Sequence, residues 1–356
     1  SASTPAGVNW TGAAASDNWS ESGNWSPDAP ASTDAVIFDA IDADGTSIVD
    51  QDFAIAALLY TGEVATGTGA ADHITDFDED STLTVSGNAT IGANNSQSPV
   101  NLTIANGTAV VAHVTGLNVG INSAGSGSIT GNLTVTSGAS LDASDADELS
   151  VGRVTNDGWQ AQANGTLVLG ADSLIDLGAL AGPATLNIGW NESTTDSGFN
   201  QYLNHSSATG LLDATNGALN AELSELNVGM TSWRGTANGT LIMGDDTTIN
   251  TLTANIGVGT GATGTLTLLD NFAGTFAATT TSLAKGLFDV GNNTLEVGGS
   301  GSIVTGTFNL SGGLLSGSSV NLITEGGFKF TGGRLDVMTF NGSLNEVGGT
   351  LAAGDT

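Results

Sequence analysis

A four-residue apolar phrase closed by glycine returns along most of the chain and constrains its fold more than any other feature. It reads Ala89-Thr-Ile-Gly92, Leu117-Asn-Val-Gly120, Leu149-Ser-Val-Gly152, Leu186-Asn-Ile-Gly189, Leu226-Asn-Val-Gly229, Ala254-Asn-Ile-Gly257 and Phe288-Asp-Val-Gly291. A sister phrase alternates with it at Asn101-Leu-Thr-Ile104, Asn132-Leu-Thr-Val135, Thr166-Leu-Val-Leu169, Thr240-Leu-Ile-Met243 and Thr265-Leu-Thr-Leu268. Self-similarity on a fixed beat is the mark of a solenoid, in which each repeat buries its apolar face only against its neighbours.

The phrase has a mechanical reading. In a strand of period two, Leu117 and Val119 face one side and Asn118 the other. The glycine that follows can take positive φ and turn a tight corner without a Cβ clash. Helical periodicity is nearly absent, and the alternating segments are bounded by Gly, Asn, Ser and Asp, so short strands and tight turns are predicted. Successive beats at Leu102, Leu117, Leu133, Leu149, Leu167 and Leu186 are 15 to 19 residues apart. If each beat is one coil, about 15 to 18 coils at ~4.8 Å make a rod of roughly 70 to 85 Å. The predicted class is all-β, a parallel β-helix. Outward Asn, Ser and Thr are placed to form ladders with their equivalents one coil away.

Composition narrows the partners. Five basic residues (Arg153, Arg234, Lys285, Lys329, Arg334) stand against 36 acidic ones, a net charge of -31 that repels phosphate backbones and anionic headgroups. Nucleic acid and membrane insertion are therefore not expected. Hydrophobic residues still make up 39% of the chain, so a narrow core can be buried and disorder is not expected. With no cysteine there is no disulfide framework and no thiolate site. No apolar run approaches the ~18 residues of a membrane-spanning helix. The start at Ser1-Ala-Ser-Thr reads as a mature secreted chain.

Three zones are expected: residues 1–50, rich in Trp and Pro, as an aromatic cap or assembly arm; 51–300 as the β-helix repeats; and 301–356 as coils built on Gly-Gly-x-Leu, with an uncapped end. Such an end offers unpaired backbone groups as a template for another strand. Trp10, Trp19 and Trp25 at one end and Leu335, Leu344 and Leu351 at the other are the candidate subunit-interface residues. The tryptophans could instead stack on sugars, although large apolar side chains at such a place more often plug the open end of a β-helix.

The opening Asn9-Trp-Thr-Gly12, with Asn18-Trp19, Asn24-Trp25 and Asp34-Ala-Val-Ile-Phe38, resembles secreted bacterial β-helix proteins with autotransporter-passenger-like repeats. Leu83-Thr-Val-Ser-Gly87 followed by Ala89-Thr-Ile-Gly92, and Gly348-Gly-Thr-Leu-Ala-Ala-Gly354, are similar to that group too. The resemblance spans nearly the whole chain and rests on low-complexity motifs. It implies a right-handed parallel β-helix at the cell surface, serving adhesion or matrix building, with no catalytic residues to carry over. The chain departs from the group in lacking a translocating barrel and a sorting tail.

Several constellations invite chemistry. The acidic clusters Asp39, Asp42 and Asp44; Asp76, Asp78 and Asp80; and Asp142, Asp145 and Asp147 are candidate Ca²⁺ ligands, since that ion takes six to eight oxygens in flexible geometry. None matches an EF-hand loop, and the plainer reading is solvated turns. Trp159, Trp190 and Trp233 form a candidate lateral patch for surface polysaccharide. Asn-x-Ser/Thr sequons at Asn101, Asn106, Asn132, Asn164, Asn238, Asn309 and Asn341 come with the repeat. An enzyme acting on polysaccharide would use Arg153 with Asp147 and Glu148, or Arg234 with Asp245, but no spacing there is diagnostic, and His73, His113 and His205 sit in unrelated contexts. The expectation is a non-enzymatic extracellular structural protein that assembles head to tail with itself, the alternative being a monomeric adhesin that binds glycans laterally.

Overall fold

In the computed structural model, which describes residues 6–39, 45–61, 71–78, 80–93, 99–111, 116–123, 127–155, 160–178, 182–193, 206–233, 235–244, 246–344 and 348–352, the chain is an all-β solenoid. Among the described residues 31 strands form one continuous sheet, parallel throughout except where Ala6–Trp10 meets Trp25–Ser26.

The strands stack in three columns. Column one takes the sister phrase: Val100–Ala105, Ser128–Val135, Gln162–Leu169, Ser207–Ala214, Thr236–Met243 and Ala262–Leu268 lie in register, so that Leu102, Leu133, Leu167, Leu212, Leu241 and Leu266 form one buried line. Column three takes the glycine-closed phrase, aligning Ala89, Leu117, Leu149, Leu186, Leu226 and Ala254. Column two lies between them in sequence, through Thr108–Val111, Ser140–Ala143 and Leu174–Leu177. Each coil therefore contains both phrases, and its length is about twice the sequence beat. Equivalent leucines are 31 residues apart from Leu102 to Leu133, 40 from Leu186 to Leu226, and 20 from Leu315 to Leu335. Column one has twelve strands among the described residues, so the stack is about 53 Å tall rather than 70 to 85 Å. Phe288-Asp-Val-Gly291 belongs to the other column: Phe288 sits opposite Leu266.

The glycine that closes the phrase has a second duty. Gly120, Gly152, Gly189 and Gly229 have φ between 65° and 70°. The turn flips the alternation, so Arg153 points outward and Val154 inward, the reverse of what uninterrupted pleating from Val151 would give. It also brings the backbones of columns three and one together. Added Cβ atoms would lie 2.0 Å from the Asn164 carbonyl at Gly120, 1.9 Å from the Thr209 carbonyl at Gly152 and 2.1 Å from the Asn238 carbonyl at Gly189. The pinch leaves a small separate core of Val154, Ala161, Ala163 and Ala208 beside the main one.

Residues before position 50 enter the same columns: Ala6–Trp10 pairs with Asp34–Asp39, which pairs with Ala57–Thr61. Trp10, Trp19 and Trp25 are buried around Phe38, with ring centroids of Trp10 and Trp25 at 4.8 Å and of Trp19 and Trp25 at 5.0 Å. Toward the other end the core turns from aliphatic to phenylalanine. Phe288, Phe308 and Phe328 stack at 6.0 and 5.4 Å, and Phe308 occupies the inward line of Leu226 and Ala254.

The sequons follow from the pleat. In Asn132-Leu-Thr134 and Asn164-Gly-Thr166 the Asn and Thr face outward and the central residue inward. Column one thereby gains an outer face of in-register lines: Thr130, Asn164, Thr209, Asn238 and Thr263 form one, and Asn132, Thr166, Leu211, Thr240 and Thr265 the next.

Candidate functional site

Among the described residues, Arg153, Trp190, Glu148 and Glu192 gather charge and aromatic surface on the outside of column three. Gly152 and Gly189 turn Arg153 and Trp190 outward, and the register sets Arg153 opposite Trp190 and Trp190 opposite Met230. The Arg153 guanidinium carbon is 4.6 Å from the Trp190 ring centroid. Its Nε and Nη2 donate to the Glu192 carboxylate at 3.2 and 3.0 Å, and Nη1 donates to Glu148 Oε1. Burial pushes the Glu192 carboxyl above its ordinary range; Arg153 opposes that shift, and the nearby Glu148 charge adds to it. The site therefore ties two coils by a cation held between two carboxylates and stacked on an indole ring.

The sequence paired Arg153 with Asp147 and Glu148. The structure keeps Glu148, leaves the Asp147 side chain exposed and adds Glu192, 39 residues further on. Glu192 was invisible because the coil length that brings it alongside varies from turn to turn. Arg234 and Asp245, the second polysaccharide-enzyme pair, lie outside the described residues, as do Trp159, His113 and His205. Trp233 is 52% exposed three residues beyond Met230, while Trp190 has Arg153 over its ring.

The acidic residues take two kinds of place. Asp76 Oδ1 accepts the Asn106 side-chain amide at 2.8 Å and the Phe77 N–H at 2.8 Å. Asp142 Oδ1 accepts the Ser144 N–H at 3.0 Å and its hydroxyl at 2.5 Å. Asp78 caps its turn through backbone bonds with Val49 and Ser81, Asp80 has φ of 69°, Asp39 ends the strand Asp34–Asp39, and Asp145 is exposed. Asp42 and Asp44 lie outside the described residues. Among the described residues no group of three or more His, Asp or Glu side chains is arranged to hold a metal ion.

Carboxylates instead anchor amide ladders. Asn132 donates to Asn101 at 2.6 Å, and Asn101 donates in turn to Asp72 at 2.5 Å. Asn220 donates to Asp176, Asn250 to Glu222 and Asn255 to Glu225, always from one coil to the coil before it. A carboxylate can only accept, so its chemistry fixes the direction of each pair. In column three the ladder is buried from Ser150 to Asn227: Asn187 donates to the Ser150 hydroxyl at 3.3 Å and Asn227 to Asn187 at 2.8 Å, while the half-buried Asn255 donates to Asn227 at 2.9 Å.

Of the other expected end residues, Leu335 is buried, Leu344 packs partly buried on the core, and the side chain of Leu351 lies outside the described residues. His73 is also a core residue. It occupies the inward position that Leu102 takes in the next coil, with Nε2 3.0 Å from the Ser47 hydroxyl and its ring 4.5 Å from Phe38. It lies beneath a shallow groove of about 540 Å³ bordered by Thr46, Ile74 and Thr103. Compared with family models, with curated proteins and with solved structures, the chain shows no significant match.

Proposed function

We propose that this chain is an extracellular structural protein whose solenoids join head to tail with copies of themselves into a fibre or surface matrix. The observation that supports the reading is the self-complementarity of the coil. Each coil presents to the next a parallel backbone edge and an apolar line of the same kind that the previous coil presented to it, while the outward lines mix Asn, Thr and Leu211. A contact that repeats by translation between coils can repeat between molecules, and such heterologous contacts propagate as open filaments. Leu322, Phe340 and Leu344, partly buried on the last described coils, are where an added coil would extend the core.

With a net charge of -31, approach of two copies is opposed at low ionic strength. Calcium belongs to the proposal as a counter-ion that eases this repulsion rather than as a ligand of a built site. Electron microscopy and light scattering of the purified chain, across protein concentration and with calcium or a chelator, test the reading. Unbranched fibres whose axial repeat matches the length of one solenoid are expected; isolated rods under every condition would overturn it.

A further inference from the structure

Asparagine is followed by glycine at five places: Asn106-Gly107, Asn164-Gly165, Asn216-Gly217, Asn238-Gly239 and Asn341-Gly342. Such a pair is chemically reactive, because glycine has no side chain to shield its backbone nitrogen from the carbonyl carbon of the preceding side-chain amide. The fold restrains four of the five. Asn164 and Asn238 lie inside strands whose backbone is paired on both sides, and their glycines are wedged in the pinch between columns one and three. Asn341 is in register with Asn321 and donates its amide to it at 2.7 Å. Asn106 donates its amide to Asp76 at 2.8 Å. Asn216 has none of these restraints. It is exposed at the middle of the three-residue bend between Ser207–Ala214 and Ala218–Thr231, and among the described residues its side chain takes part in no hydrogen bond. Only Thr215, beside it, is pinned, through its N–H and hydroxyl to Asp213.

We infer that Asn216 is a site at which this chain modifies itself without an enzyme. The Gly217 nitrogen, giving up its proton to hydroxide, bonds to Asn216 Cγ; the Cγ–Nδ2 bond breaks, ammonia leaves and a succinimide ring is closed. Water then opens the ring at one of its two carbonyls, giving aspartate or isoaspartate. Both products matter at this bend. Counted back from the Leu174–Ala218 pair, position 216 takes the place that the exposed Asp172 holds in the coil before. Either product therefore sets a second carboxylate beside an existing one, in a chain whose net charge is already -31. Isoaspartate also adds a main-chain methylene directly before Gly217, which is buried with the Ser173 hydroxyl and the Gly170 carbonyl only 2.5 and 2.6 Å from where a Cβ would lie. The next residue, Ala218, donates its N–H to the Ser173 carbonyl at 2.8 Å and opens the column-two strand of its coil. The reaction is thus a timer that loosens one corner of the stack as the molecule ages. The inference is independent of end-to-end assembly, because the chemistry is intramolecular.

The test is peptide mapping by mass spectrometry of the full chain, aged at mildly alkaline pH in the folded state and, in parallel, in urea, with isoaspartyl methyltransferase labelling to tell isoaspartate from aspartate. In urea the five pairs are expected to convert at similar rates. In the folded chain Asn216 is expected to convert several-fold faster than the other four, with isoaspartate among its products, and Asn216→Gln is expected to remove the first phase of ammonia release while circular dichroism shows it folded. Hydrogen exchange at Ala218–Ala221 is expected to quicken in the aged parent and not in Asn216→Gln. Conversion of any of the other four as fast as Asn216, or an intact Asn216 in folded chain when the chain in urea has converted, would overturn the proposal. Exchange at Ala218–Ala221 unchanged after Asn216 has converted would overturn the loosening.

Discussion

Gly229 and Gly239 face each other across the pinch of one coil: a Cβ on Gly239 would lie 2.2 Å from the Gly229 backbone nitrogen and 2.2 Å from the Ile188 carbonyl oxygen. Column one and column three touch there through bare backbone. Both atoms belong to rigid strands, so neither can move aside as a side chain would. Gly239→Ala is expected to lower the melting temperature sharply and broaden the transition. Gly138→Ala, at φ of 78° but with open space around its Cβ, is expected to cost only the ~1–2 kcal/mol of the left-handed conformation. Gly239 is not in the positive-φ region, so the contrast isolates the pinch; parallel thermal melts check it, and a loss in Gly239→Ala no larger than in Gly138→Ala would overturn it.

Arg153 holds two carboxylates that would otherwise face each other without a cation. In Arg153→Met the stacking on Trp190 is partly kept while the charge is lost. Glu192, already raised by burial, then rises further. A carboxyl whose folded pKa lies above its unfolded value destabilises the fold at pH above the folded pKa, and this penalty fades as pH falls through it. The variant is therefore expected to lose about 1–3 kcal/mol near neutral pH and to recover part of that loss on mild acidification, read from urea melts at the two pH values.

The buried ladder makes a sharper demand. Asn227 donates to Asn187 and accepts from Asn255, so Asn227→Asp sets a carboxylate against the Asn187 carbonyl oxygen. The expected loss exceeds that of Asn227→Ala, itself about 1–3 kcal/mol for stranded partners, and shrinks as the new acid is protonated. Melting curves of the two variants from neutral to acid pH separate the contributions.

Phe308 is fully buried between Phe288 and Phe328. Phe308→Ala is expected to cost about 3–5 kcal/mol. Contacts in a solenoid are made only with neighbours, so the loss should stay local. Hydrogen exchange should quicken in the phenylalanine-lined coils and remain slow near Leu167 and Leu212.

The class of fold was legible because period two and glycine spacing are local properties, visible wherever Leu-Asn-Val-Gly occurs. The size of the coil was not. Leu102 and Leu117 look like successive rungs, yet Leu102 stacks on Leu133 and Leu117 on Leu149, since the two phrases form different walls of the same turn. Phe288 misled for the same reason: four residues can imitate one wall while the register assigns them to the other. The acids around Asp76 and Asp142 read as open turns, but both are hydrogen-bonded within the fold, and the amide that reaches Asp76 comes from a coil 30 residues away. Glu192 carried no local signal at all.

The one-way ladders bear on how the molecule comes to be built. Asn101, Asn106, Asn220, Asn250 and Asn255 all reach back to an acceptor in the coil before their own. A turn leaving the ribosome N-terminus first thus finds acceptors for these amides already in place. Starting from the tryptophan-filled first coils, the molecule can wind itself up turn by turn. Growth of this kind needs no long-range search, because each completed turn is the template for the one that follows.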